Sequence, residues 1–481
     1  MQLLEEGLNA HHACTNNISG ETPMKVFGKL SISLLSAVAA LGAVSTALAA
    51  APRGPTTDKN VTVMMFPGSS LLTGRAGGLR QAPLRSEQRS LTSYGPAVHV
   101  DSQGFGNNPQ GGFPGFQGDQ DTVPLWTFDV QRAPRDGLNH VGAMVGTNPF
   151  KDPGTSRVPV VIVPMIITTQ TVATGLNNAT FIFSTTSGRV TQNSAAPQST
   201  CLTAPNNVPS TLAYQSPIFQ DAPFYFGGVF MGDTQYIDAV QRGSFYRALG
   251  DNPGAYHVLF APVSVLSPIR VTVPANEGLA FSGSMFGGCG TVQILDINWF
   301  DSYINGTLLP RLASQGVGPG TVTEFLLYNA VLASPVSDLN TCCILGYHSS
   351  AGEPAPNRLY DVSDFDASGI FGPGTENSDV MAHEMGELVN DPFGDNEVPP
   401  WGNTGQTVGC QENLEVGDPL SGTNVPPVTM PNGFTYNLQE LAFFSWFFGG
   451  RSLGVNGWYS SNGTFTSDAG PVCGDPSISS G

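Results

Sequence analysis

The chain has 481 residues and a net charge of −18; 40% of it is hydrophobic and only 12% charged, with 58 Gly and 38 Pro. That length holds one large domain or two to three smaller ones, and the Gly and Pro content points to a loop-rich exported protein. The acidic balance argues against nucleic acid or an anionic membrane as partner, because both need clustered cations and the only lysines after residue 50 are Lys59 and Lys151.

Residues 1–23 read as a mis-assigned leader, since a better start follows at Met24. Lys25 and Lys29 form a basic n-region, an apolar Ser- and Ala-bearing run follows, and Ala47-Leu48-Ala49 is a cleavage site, so residues 24–50 read as a signal peptide. The run is broken by Ser31, Ser33, Ser36 and Gly42 and does not read as an anchor, so no membrane association is expected after cleavage. Mass spectrometry of exported protein is expected to find no residue before Lys25, with the mature chain starting after Ala49 or Ala50.

Residues 51–125 carry Gly- and Pro-bearing segments around Phe105, Phe113 and Phe116 and cannot bury enough apolar surface to fold alone. They read as a disordered, flexible arm, either a solvated linker or a pro-segment. Residues 126–481 read as one globular domain. Residues 158–169 form a β-branched run expected to be a buried strand, with Pro159 and Pro164 weakening its ends. Residues 181–183 and 256–265 read as further strands. Helices are expected over 233–249, 292–309, 320–332 and 438–448. Strands followed by helices give an α+β class.

Six cysteines follow the signal: Cys201, Cys289, Cys342, Cys343, Cys410 and Cys473. In an oxidising compartment they form up to three disulfides, and the adjacent Cys342 and Cys343 are expected to pair with two different partners. Cys410 is placed to pin the segment after the helix described next.

Asp379-Val-Met-Ala-His383-Glu384-Met-Gly386-Glu387-Leu-Val-Asn-Asp391-Pro392 is the stretch with the most chemistry. Asn377 or Ser378 can cap a helix and Pro392 stops it. Met381, Met385 and Leu388 make an apolar stripe; His383, Glu387 and Asp391 follow one another at i, i+4 and i+8 on the other side, beside Glu384. This is H-E-x-x-H with glutamate in place of the second histidine. His383 and Glu387 read as metal ligands and Glu384 as general base, against the alternative of an amphipathic surface helix. Gly386 inside the helix suggests that a substrate or strand approaches there. A third ligand is needed, and Glu415 or Asp418 can supply it. His348, on an expected strand end, reads as a ligand, a transition-state donor or a histidine hydrogen-bonded within the fold. Asp391 reads as a partner orienting a ligand or as a turn former.

Gly346-Tyr347-His348, the H-E-x-x-E helix with Pro392, Trp401 and Glu415-Val416-Gly417-Asp418 together resemble the core pattern of the Exordium (phosphate-induced) family, and secreted bacterial proteins with H-E-x-x-E followed by E-I-G-D look closer still. The family pattern places a Cys soon after E-I-G-D, where this chain has Pro419-Leu420. The resemblance implies an extracellular protein with a zincin-like metal site: a mixed sheet carrying an active-site helix. Two functions follow as expectations. One is a secreted (extracellular or periplasmic) metal-dependent hydrolase, peptidase-like, acting on a peptide or carbohydrate, with Zn or else Ca or Mn bound. The other is a non-catalytic extracellular binding module with a structural metal, or with Trp401, Trp446, Trp458 and Tyr459 stacking on sugars.

Overall fold

The computed structural model describes residues 61–65, 99–100, 122–183, 188–203, 205, 207–250, 253–351, 358–402 and 410–469. The expected leader, the signal peptide, Cys473 and most of the expected arm lie outside these residues. Within the arm, Val61–Met65 and His99–Val100 are paired strands, the first against residues 344–349 and the second against Leu125–Gln131.

The centre of the fold is a mixed eleven-stranded sheet. Its strands are β1 (Val61–Met65), β2 (Thr155–Thr169), β3 (Val190–Asn193), β4 (His257–Val265), β5 (Ile269–Thr272), β6 (Gly278–Ser282), β7 (Thr291–Asp296), β8 (Val322–Tyr328), β9 (Ala330–Ala333), β10 (Cys342–Ala351) and β11 (Arg358–Phe365). The main order is β4-β2-β8-β11-β10-β9-β7-β6, with β1 on β10 and both β3 and β5 on β2. Pairing is parallel through β4, β2, β8 and β11 and turns antiparallel at β10. The class is therefore α+β, mostly sheet with few helices.

The long strand β2 runs through both of its prolines, and its partners explain how. Pro159 sits opposite the bulge where β4 shifts register between Phe260 and Val263. Pro164 falls where β4, paired as far as Ile162, gives way to β5, paired from Met165. Neither position needs a ladder N–H on that side.

The central strands are buried on both faces, which makes their sequences continuous apolar runs rather than alternating ones. In β8, Val322, Leu326 and Tyr328 join one core while Phe325 and Leu327 join another. The helix Asp379–Asn390 packs over β10 and β11, and Met381, Met385 and Leu388 enter the first of these cores.

Several expected helices are strands or shorter helices. Residues 292–296 belong to β7; Asp296 then caps a helix, Ile297–Tyr303, by accepting from the N–H groups of Asn298 and Trp299 at 3.0 Å. Residues 320–332 hold β8 and β9, broken by Asn329 at φ 45°. The helix expected over 233–249 is Tyr236–Ser244, since Asp233 and Thr234 end a hairpin strand, and that over 438–448 shrinks to Phe444–Phe448. Cys342 pairs with Cys343, and Cys201 with Cys289. The adjacent cysteines thus pair with each other, not with two partners. Trp401 and Trp446 are fully buried, rings edge to face at 6.0 Å, and pack the core.

Candidate metal centre

Asn377, at φ 55°, turns the chain into the helix, its Oδ1 accepting from the N–H groups of Ser378 (2.7 Å) and Asn437 (2.9 Å). Asp379 suits the positive end of the helix dipole and accepts from Asn424 Nδ2 at 2.6 Å. At the other end, Asp391 accepts from the N–H of Asp395 at 3.0 Å and of Asn396 at 3.1 Å, which fixes the turn at Pro392. Every residue of the helix is buried, polar face included, so it is no surface helix.

Its polar face meets β10 and the segment after Leu414. His348, His383, Glu384, Glu387, Glu415 and Asp418 converge there, each at most 3% exposed. His383 Nε2 lies 3.2 Å from Glu387 Oε2, 3.6 Å from Asp418 Oδ1 and 4.0 Å from Glu384 Oε1. His348 Nδ1 lies 3.5 Å from Glu384 Oε2 and 3.7 Å from Glu387 Oε2, while its Nε2 is 4.0 Å from Glu415 Oε2. Two donor sets with ligand atoms within 4.8 Å of one another result: His383, Glu384 and Glu387, and His348, Glu387 and Glu415. His383 Nε2, Glu387 Oε2 and both Glu415 oxygens are buried and make no hydrogen bond of good geometry among the described residues. Buried polar atoms in that state are rare unless an ion or water completes them.

The outer nitrogens of both imidazoles are engaged. His348 Nε2–H donates to the Asp391 carbonyl at 2.9 Å, and His383 Nδ1–H donates to Gln439 Oε1 at 3.0 Å. Gln439 is itself held by its Nε2 donating to the Gly417 carbonyl at 2.6 Å. Each ring then presents a lone-pair nitrogen to the carboxylates, the arrangement found around metal-bound histidines. Glu387 Oε1 accepts from the N–H groups of Gly417 (3.0 Å) and Asp418 (3.1 Å), leaving Oε2 to face the histidines.

Three glycines let these pieces approach. A Cβ on Gly346 would meet Glu384 Cγ at 2.9 Å, and one on Gly386 would meet Leu441 at 2.5 Å, so the neighbour admitted by Gly386 is a packed leucine. A Cβ on Gly417 would lie 2.4 Å from His383 Nδ1 and 2.7 Å from its Cγ. The backbone of Gly417 has φ −85°, open to any residue, so the demand there is steric. Gly417→Ala is expected to push His383 off Gln439 and cost about 1–3 kcal/mol of stability. Metal affinity should fall by about 10–100-fold. Thermal melts and isothermal titration with Mn²⁺ check both.

Burial opposes a charged His383, but Glu387 and then Asp418 outweigh it and lift the imidazole to about 9. Burial also works against an ionised Glu387, yet His383, His348 and the Gly417 N–H hold it below the ordinary carboxylate range. Without a cation, a proton on His383 therefore fills the cation's role. Burial pushes His348 down to about 4 and raises Glu415 well above its ordinary value. Beneath the helix, Glu324 on β8, Asp361 on β11 and His348 on β10 are register partners in one row. Burial lifts Asp361 to about 7 and, with the neighbouring Asp361, raises Glu324 well above its ordinary value.

The structure thus brings together all six residues that the sequence offers for a site. No family model, no curated protein and no solved structure matches the chain. Asp391 serves in both expected ways, its side chain forming the turn and its carbonyl orienting His348. Gln439 has no signature in the sequence, and Gly346 and Gly417 stand in the motifs quoted above without showing there that a side chain would collide. The side chain of Cys410 lies outside the described residues.

Proposed function

We propose that the chain is a secreted, zincin-like, divalent-metal-dependent hydrolase, peptidase-like in its chemistry. The observation that carries this is the pair of tautomer-fixed imidazoles whose inner nitrogens face the buried Glu387 Oε2. His383, Glu387 and Asp418 hold the ion; Asp418 suits the third place better than Glu415 because its Oδ1 is 3.6 Å from His383 Nε2. A bound Zn²⁺, or Mn²⁺ or Ca²⁺ in so carboxylate-rich a set, would make its water acidic and polarise a carbonyl. Glu384, as the base, would take a proton from such a water and pass it to the leaving group. His348 Nδ1 lies 3.5 Å from Glu384 Oε2 and lines the same pocket, with the ring oriented by its Nε2–H on the Asp391 carbonyl. The Exordium-like pattern belongs to this reading, as does an extracellular location, with which the Cys201–Cys289 disulfide agrees. Among the described residues no helix is long and apolar enough to cross a membrane.

The burial of all six donors favours a second reading, a binding module in which the ion is structural. Metal analysis of the purified chain, with a panel of peptide and glycoside substrates before and after chelation, separates the two. Bound ion with chelator-sensitive hydrolysis supports the hydrolase; bound ion without hydrolysis gives the module; no ion ends both.

A further inference from the structure

The six side chains offer more than one ion needs. A tetrahedral catalytic ion takes three protein ligands and a water, and His383, Glu387 and Asp418 supply those three. His348 and Glu415 remain on the far side of Glu387, in a donor set of their own. Glu415 is 1% exposed, neither of its oxygens has a hydrogen-bond partner among the described residues, and its Oε2 lies 4.0 Å from His348 Nε2, the nitrogen that donates to the Asp391 carbonyl. Uncompensated charge in a site this buried is strongly unfavourable.

We propose that the centre binds two divalent cations, one held by His383, Asp418 and Glu387 and a second by His348, Glu415 and Glu387, with Glu387 Oε2 shared between them. The proposal rests on the metal reading given above and adds a second site to it. Glu387 is suited to sharing because Oε1 is fixed by the Gly417 and Asp418 N–H groups, which aims Oε2 between the two imidazoles, 3.2 Å from His383 Nε2 and 3.7 Å from His348 Nδ1. Two histidines with three carboxylates is one carboxylate short of the set that holds carboxylate-bridged metal pairs in other protein architectures. In hydrolytic sites of this kind the ions stand about 3.5–4 Å apart and clamp the attacking and leaving oxygens. Glu384 touches both halves, at 4.0 Å from His383 and 3.5 Å from His348, and so remains the base for a water held between them.

The test is titration of the metal-stripped full chain with Mn²⁺, with bound metal counted by plasma mass spectrometry and the spin state read by electron paramagnetic resonance. The expected result is two Mn²⁺ per chain with an exchange-coupled signal, falling to one Mn²⁺ and an isolated six-line signal in Glu415→Gln. One ion per wild-type chain, or two with uncoupled signals, overturns the shared pair and leaves the single-ion reading standing. No bound ion overturns the metal reading itself. Should Glu415→Gln fail to fold, the wild-type count and coupling decide alone.

Discussion

Glu384→Gln is expected to abolish hydrolysis, lowering kcat by about 10²–10⁴-fold, while leaving bound metal and melting temperature close to wild type. The amide keeps the size and most of the hydrogen bonding of the carboxylate and loses only the capacity to accept a proton. Glu384 is 0% exposed and packs over Gly346, so the substituted side chain has nowhere else to go. His383 and Glu387, which face each other at 3.2 Å, are untouched by the change. His383→Ala is the contrasting variant: it removes a ligand, and both metal content and melting temperature should drop. Equal loss of metal in the two variants would show that Glu384 is a ligand and not the base.

The helix, with His383, Glu384 and Glu387 together on it, and its stop at Pro392 are legible in the sequence because a 3.6-residue period places residues i, i+4 and i+8 on one face without reference to the rest of the chain. The helix expected over 320–332 proves to be two strands, and the one expected over 292–309 opens as a strand and is helical from Ile297; both miss for the opposite reason. In residues 320–332 the run Phe325-Leu326-Leu327-Tyr328 is buried on both faces of the sheet, so no alternation marks it as a strand and its apolar density suits a helix equally well. Over 292–309 the change occurs at Asp296, a capping residue that is a readable helix start once the strand before it is recognised. The remainder of the site is set by tertiary approach. Gln439 meets His383 from a non-helical stretch, and Gly417 is needed only because an imidazole lies against it. Such requirements arise from packing between distant segments, which local spacing does not encode.

Stripping the metal is expected to make the protein lose stability as pH rises from 5 to 8, whereas the loaded protein should change little over that range. Burial lifts Asp361, Asp379 and Asp391 each to about 7 and Asp366 to about 6, and raises Glu415 well above its ordinary value. A carboxyl raised in the folded state holds more protons there than in the unfolded chain, so the stability it contributes at low pH is lost as pH climbs from its unfolded value to its folded one. His383, raised to about 9 chiefly by Glu387 against the effect of burial, acts in the same direction above its ordinary 6.5. His348, lowered by burial to about 4, opposes them between about 4 and 6.5, but it is one group against several carboxyls, so stability already falls in that range and goes on falling above it as His383 titrates. A bound cation replaces the protons at the centre itself, on His383 and Glu415, and removes the repulsion among its carboxylates; binding should release protons and become tighter as pH rises. With free ion at a thousand times its Kd, the loaded protein gains about 4 kcal/mol over the stripped one. The gap between the two melting temperatures should therefore widen steadily from pH 5 to pH 8, as differential scanning calorimetry at matched ionic strength would show. A stripped protein as stable at pH 8 as at pH 5 would mean that the buried carboxyls are ionised without a cation, and the centre would then need another source of positive charge.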